Sequence, residues 1–221
     1  MSDSQPGRGS VPSPTKQLGD AGRSRAPAGA PATELKLLLA GVGGQGVVFA
    51  SRLLARAAAG MGLPVLASET HGMSQRGGSV LAHLKIGGTA APLIRRGTAD
   101  VLLAFNRDEA LRNLPFLRPG GAAFVNSPDG LPVEVEQALR ERAIEVYCLP
   151  ASRLAQELGS GAVANMVLIG FAAAHPTFSI PLETLQQTLS QRAQELNLRA
   201  LAAGSRAAAG LGGAPQVGSG T

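Results

Sequence analysis

Tryptophan is absent, tyrosine and cysteine occur once each (Tyr147 and Cys148), and aromatic residues make up only 3% of the 221 residues. A hydrophobic core must therefore be assembled from Leu, Val, Ile and Ala, which dominate the 44% apolar content. One cysteine excludes an internal disulfide. It also excludes a self-contained iron–sulfur cluster, which is usually held by four thiolates. Long apolar runs are missing as well: the longest candidate, Gly161–Ala174, is interrupted by Asn165 and falls short of the roughly 18–20 residues a spanning helix needs. The first 30 residues contain no apolar segment of the kind a secretion signal carries. The expectation is a cytoplasmic protein without membrane contact.

The net charge of +5 is less informative than it looks, because part of it sits at the ends. Arg8, Lys16, Arg23 and Arg25 outnumber Asp3 and Asp20 in residues 1–33, and Arg206 adds one charge in 205–221, so the intervening chain carries only +2. A nucleic-acid reader combines a basic stripe with aromatic or polar readers. No such combination is present, and no nucleic-acid partner is expected.

Composition also divides the chain. Residues 1–33 are rich in Gly, Pro and Ser with little apolar periodicity, so they are expected to form a disordered N-terminal extension that cannot bury a core. Residues 205–221 read as a disordered C-terminal tail for the same reason. Residues 34–204 form the expected domain. Within it, short apolar runs at Leu35–Ala40, Pro64–Ser68, Asp100–Phe105, Gly121–Asn126 and Ile144–Leu149 read as strands buried on both faces. Ser79–Ile86 alternates, with Val80, Ala82, Leu84 and Ile86 on one side, and predicts a half-exposed antiparallel strand. Helices are predicted over Val47–Gly60, Asp108–Asn113, Val133–Arg142, Ser152–Leu158 and Val163–Ala174. A long amphipathic helix is predicted over Pro181–Ala202. Strands alternating with helices give an α/β fold: a three-layer, mostly parallel sheet with helices on both faces and an antiparallel insertion.

Gly41-Val-Gly43-Gly44-Gln45-Gly46 follows the first strand and opens the first helix. In that setting glycines permit a tight turn, close approach to the backbone and close helix–strand packing. The helix behind them offers unpaired N–H groups and a positive dipole end to an anion. The same loop also serves as a sharp turn with no ligand. An acidic residue at the end of the second strand would complete a dinucleotide site, and Glu69 stands there, 23 residues after Gly46. A stand-alone NAD- or FAD-binding module is therefore one reading. Against it, Glu69 leads into a long polar loop and an antiparallel strand, where a crossover helix is expected. No Lys-Ser/Thr pair follows the glycines, so the loop is not of the P-loop type.

The second loop, Glu69-Thr-His71-Gly-Met-Ser74-Gln75-Arg76-Gly-Gly78, places acid, imidazole, amide and guanidinium within one short segment. Arg76 suits a phosphate or carboxylate. Glu69 and His71 fit either an interface ion pair or a ligand contact.

The two loops together, GVGGQGV and ETHGMSQRGGSV, resemble the gamma-type domain of 2-oxoacid:ferredoxin oxidoreductases. The resemblance is strongest to the small (beta) subunit of the indolepyruvate enzymes. It extends through Gly97–Ala104, Glu109–Leu111, Gly120–Asn126, Asn165–Gly170, Ile180–Glu183, Asn197, Ala200, Leu201 and Gly204, and so covers residues 34–204. What it implies is one part of an enzyme that oxidatively decarboxylates a 2-oxo acid to an acyl-CoA. No cofactor is expected on this chain alone. Thiamine diphosphate and iron–sulfur clusters are implied on a larger partner subunit, ferredoxin is implied to be reached through that subunit, and coenzyme A is a shared co-substrate. The resemblance assigns Gly41, Gly43, Gly44, Gln45, Gly46, Gln75 and Arg76 to coenzyme contact, and Glu69, His71 and Ser74 to the interface or substrate cleft. It assigns no catalytic residue and no metal ligand. A purely structural subunit is the remaining reading. Asn106 and Arg107 depart from the family's pattern, which is more acidic or proline-containing at this stretch.

Overall fold

The computed structural model describes residues 34–71, 77–88, 91–189 and 194–210. Ser74, Gln75, Arg76 and the segments 1–33 and 211–221 lie outside the described residues, so the expected disordered N-terminal extension and most of the expected C-terminal tail are not addressed by it. The described residues form a single mixed sheet of six strands: β1 (Leu35–Val42), β2 (Val65–His71), β3 (Ser79–Ile86), β4 (Ala99–Ala104), β5 (Leu117–Asn126) and β6 (Glu145–Leu149). Their order is β2-β3-β1-β4-β5-β6. β1, β4, β5 and β6 are parallel, and β3 runs antiparallel to both of its neighbours. The α/β sheet with an antiparallel insertion is thus the observed architecture.

Both faces of the sheet are covered, as the continuous apolar strands require. In β1, Leu37 and Leu39 point into one core and Leu38 and Ala40 into the other, and all four are fully buried. The larger core lies under α1 (Val47–Gly60), α4 (Ala151–Glu157), α5 (Ala164–Ala173), α6 (Leu182–Thr188) and α7 (Gln194–Gly210). The smaller core lies under α2 (Arg107–Asn113) and α3 (Val133–Glu141). The few aromatic residues are pooled rather than scattered. Phe124 stacks on Tyr147 at 5.2 Å between centroids, and Phe171 and His175 meet both edge-on or tilted. The Tyr147 hydroxyl lies 2.8 Å from His175 Nε2, and burial, with Glu145 nearby, pushes its pKa up to about 12.

Four expectations need correction. β3 is not half-exposed: its polar side chains His83 and Lys85 are only 5% and 8% exposed. The alternating pattern is real, but β3 is an interior strand, and the segment carrying Ile94 lies over its second face, where the Ile94 N–H donates to His83 Nδ1 at 3.2 Å. Burial, and secondarily Lys85, lowers the His83 pKa, so the ring is neutral and its proton sits on Nε2. The second strand runs on to His71 rather than ending at Ser68, because Glu69, Thr70 and His71 continue the ladder opposite Ala82, Leu81 and Val80. The helix expected over Pro181–Ala202 is two helices. α6 stops at Thr188, whose hydroxyl turns back to the Thr184 carbonyl at 2.7 Å, a local bond that competes with helix continuation. Leu189 is then extended and buried. α7 continues to Gly210, so residues 205–210 are helical where a tail was expected.

Candidate functional site

The chain leaves β1 through the glycine loop into α1 on one face of the sheet, and leaves β4 into α2 on the other. A crevice opens between two such divergent connections, outside the carboxyl ends of the parallel strands, and this is where open α/β sheets bind ligands. The crevice here has a volume of about 480 Å³ and is walled by residues that follow β1, β4, β5 and β6, among them Gln45, Asn106, Arg107, Asn126, Ser152 and Arg153.

Its walls are held by a continuous set of hydrogen bonds. Gln45 Oε1 accepts from the Val42 N–H and from Asn106 Nδ2, both at 2.9 Å, and Gln45 Nε2 donates to the Phe105 carbonyl at 3.2 Å. The Gln45 amide therefore ties the glycine loop to the end of β4. Asn106 Oδ1 caps α2 by accepting from the Glu109 N–H at 2.9 Å. Asn126 Nδ2 donates to the Phe105 carbonyl and to the Ser152 hydroxyl, and its Oδ1 accepts from the Ser152 N–H. Behind them the fully buried Glu109 carboxylate accepts from the Ser79 hydroxyl at 2.7 Å and pairs with Arg112, which anchors the start of β3 to α2.

Arg107 stands apart from this network. Its Nε is buried and has no hydrogen-bond partner, and it forms no ion pair among the described residues. A buried guanidinium N–H left without an acceptor costs about 1–3 kcal/mol. A planar, always-charged donor set of this kind suits a phosphate or carboxylate.

The glycine loop itself is built as a backbone turn. Gly43 N–H donates to the Gly78 carbonyl at 2.9 Å, joining the first loop to the end of the second. Gly46 caps α1 with φ of 76°, in the left-handed region, and a Cβ there would strike the Asn165 side chain. Asn165 returns a long bond from Nδ2 to the Gly46 carbonyl at 3.4 Å. Gly41 is buried in β1, while Gly43 and Gly44 are exposed. Of the loop residues, Gln45 alone lines the crevice.

The second group of expected residues falls elsewhere. Glu69 is half-buried on β2, opposite Ala82 of β3, and β3 separates it from β1 and the glycine loop. A dinucleotide fold needs the second strand beside the first; here an antiparallel strand occupies that place, which puts β2 roughly two strand spacings, about 10 Å, from β1. Glu69 cannot serve as the ribose acceptor for a ligand on this loop. His71 continues the same strand, opposite Val80. Asn126, Ser152 and Arg153 were not anticipated. Their only signal in the sequence is position: each follows directly on a buried strand or on the turn after one.

Cys148 neighbours this region on β6 but is not poised for reaction. Burial is the main cause that pushes its thiol up to about 11 from an ordinary 9.0, with Glu136 adding to the rise and Arg107 opposing it. That shift leaves roughly 100-fold less thiolate at neutral pH, the form that reacts. The rate of iodoacetamide labelling in the native protein should climb about tenfold per pH unit through pH 9–10 without levelling. A plateau near pH 9 would contradict this environment. Among the described residues no group of three or more His, Cys, Asp or Glu could hold a metal ion.

Residues 36–207 match the family model described as pyruvate ferredoxin/flavodoxin oxidoreductase. The chain belongs to this family. Its relatives include the indolepyruvate oxidoreductase subunit IorB of Archaeoglobus fulgidus, 36% identical over 189 residues, covering 77% of this chain and 93% of that one. The 2-oxoglutarate synthase subunit KorC of Methanothermobacter thermautotrophicus is 31% identical over 175 residues, covering 76% and 92%. The crystal structure of a keto/oxoacid ferredoxin oxidoreductase gamma subunit from Geobacter sulfurreducens shares the fold with a TM-score of 0.64 at 23% identity, over 80% of this chain and 99% of that one. A 2-oxoglutarate:ferredoxin oxidoreductase from Magnetococcus marinus, solved with 2-oxoglutarate, coenzyme A and succinyl-CoA bound, also has a TM-score of 0.64 at 24% identity, over 84% of this chain and 32% of that one. The chain therefore corresponds to a whole small subunit in some members of the family and to one region of a longer chain in others. Asn106 and Arg107 both lie on the crevice wall.

Proposed function

We propose that this chain is the small subunit of a cytoplasmic 2-oxoacid:ferredoxin oxidoreductase of the indolepyruvate or aryl-pyruvate type, and that it supplies one wall of the coenzyme A and substrate cleft. Similarity along nearly the full length of the IorB relative carries the reading. The donor set of the chain agrees with it. One cysteine and no acid–imidazole cluster among the described residues do not fit an iron–sulfur cluster or a thiamine diphosphate–metal site, so both groups belong to a larger catalytic subunit, which also meets ferredoxin. In this reading the backbone of Gly41, Gly43, Gly44 and Gly46, the Gln45 clamp, and Gln75 and Arg76 border the coenzyme. Glu69, His71 and Ser74 face the substrate cleft or the partner. Arg107, with its unanswered Nε, receives an anionic group of the coenzyme or substrate. The chain's chemical contribution is to bind, orient and exclude water.

Co-expression with the larger subunit tests the reading. The isolated chain should reduce neither ferredoxin nor viologen with any 2-oxo acid, and the two-subunit complex should do so with an aryl-pyruvate in preference to 2-oxoglutarate. Activity from the chain alone, or no complex, overturns it. A stand-alone NAD or FAD module is disfavoured by the strand order, since β3 displaces Glu69 from the glycine loop.

A further inference from the structure

A second concavity lies between α1 and the α6–α7 pair. It encloses about 390 Å³ and is lined by Val48, Phe49, Arg52, Leu53 and Arg56 of α1, facing Thr188, Leu189 and Asn197. None of these residues belongs to the crevice or the two loops. Phe49 is 48% exposed, one of few large apolar side chains left open to solvent among the described residues. Arg52 and Arg56 are both exposed and form no ion pair among the described residues, and no carboxylate lines the groove. At helical spacing Phe49, Arg52 and Arg56 fall along one stripe about 10 Å long.

This composition is unusual for a solvated face. A free surface helix commonly pairs its arginines with acids at i±4, as Arg140 and Arg153 do elsewhere in the chain with Glu136 and Glu157. Arg52 and Arg56 are instead spaced four apart with no carboxylate paired to either among the described residues, beside an aromatic side chain and a buried leucine floor formed by Leu53 and Leu189. Aromatic and Arg side chains are the ones enriched at the energetic centres of protein interfaces. We infer that this groove docks an acidic amphipathic helix of the larger subunit, with an apolar residue set against Phe49 and two carboxylates one turn apart meeting Arg52 and Arg56. Charge selects that occupant. The inference rests on the two-subunit reading above and adds to it where the partner is held.

The test compares the full chain with Arg52→Glu/Arg56→Glu and Phe49→Ser in binding to the purified larger subunit across salt concentrations. All three side chains are exposed, so the variants should retain the fold, to be checked by circular dichroism. The charge-reversal variant should weaken assembly at least tenfold and flatten its salt dependence, since exposed ion pairs are screened. Phe49→Ser should weaken assembly with the salt dependence kept. Unchanged affinity and salt slope for the charge-reversal variant, with the parent chain still assembling, overturns the docking inference alone. Failure of the parent chain to assemble overturns both readings. Intact assembly with a raised KM for coenzyme A would make the groove a nucleotide subsite and likewise overturns it.

Discussion

Gly204→Ala is expected to destabilise the fold by about 3 kcal/mol or more, the upper end of what overpacking a core costs, and to lower the melting temperature by roughly 6–12 °C for a chain of this size. α5 and α7 approach each other through a reciprocal pair of glycines. A Cβ at Gly170 would collide with the Leu201 carbonyl of α7, and one at Gly204 would collide with the Val167 carbonyl of α5 and lie 2.7 Å from the Phe171 nitrogen. These obstacles are backbone, so no rotamer change relieves them. Relief requires moving one helix away from the other. That separation would open the larger core around Val167, Phe171 and Leu201, all of which are essentially sealed from solvent. Gly60→Ala at the end of α1 is the matched control. A Cβ there meets nothing within 4 Å, so the change should be neutral or stabilising by up to about 1 kcal/mol. Thermal or urea unfolding of the two variants decides the matter: equal stability would mean the helices do not pack this closely.

The same pair shows how much of the fold was legible beforehand. Gly170 and Gly204 stood in the sequence as points of family resemblance with no physical role attached, because helix–helix contact between segments over thirty residues apart leaves no local pattern. The strands and α1 were legible because continuous apolar runs and a 3.6-residue stripe are local signals. The split of the last helix was not, since Leu182, Leu185, Leu189 and Leu196 keep helical spacing across the break, and only the Thr188 hydroxyl and the burial of Leu189 against α1 interrupt it. β3 read as half-exposed because its alternation is true alternation. What covers His83 is a loop arriving from later in the chain. For the site, the glycine loop was legible, but the three hydrogen bonds by which Gln45 holds Val42, Phe105 and Asn106 together were not, because two of them reach residues 60 and 61 positions away. The crevice needed the strand order, which places the ends of β4, β5 and β6 beside that loop. Sequence spacing does not supply that order.

Arg107→Ala should raise the KM for coenzyme A of the assembled enzyme by about 10- to 100-fold, the loss expected for a hydrogen bond to a charged group worth roughly 1.5–3 kcal/mol, while leaving assembly intact. The argument starts from an imbalance. The amide walls of the crevice are matched inside the chain: Gln45 with three partners, Asn106 with two, Asn126 with Phe105 and Ser152. Arg107 Nε alone is buried and unmatched. Removing a side chain that satisfies nothing within the chain should not lower its stability, and may be read directly as loss of a ligand contact if KM moves and the melting temperature does not. Arg107→Lys separates charge from geometry. It keeps the positive charge but loses the planar fork, so a bidentate anion contact predicts partial recovery only, whereas a general field effect predicts full recovery. The companion substitution Gln45→Ala should behave oppositely. Three hydrogen bonds at about 1 kcal/mol each, one from Val42 and two joining the loop to Phe105 and Asn106 after β4, would be lost, so stability should fall by about 2–3 kcal/mol along with activity. An unchanged KM in Arg107→Ala would leave the crevice a structural seam and return the chain to a scaffold role. A raised KM with unaltered melting and assembly would place an anionic group of the coenzyme against this side chain.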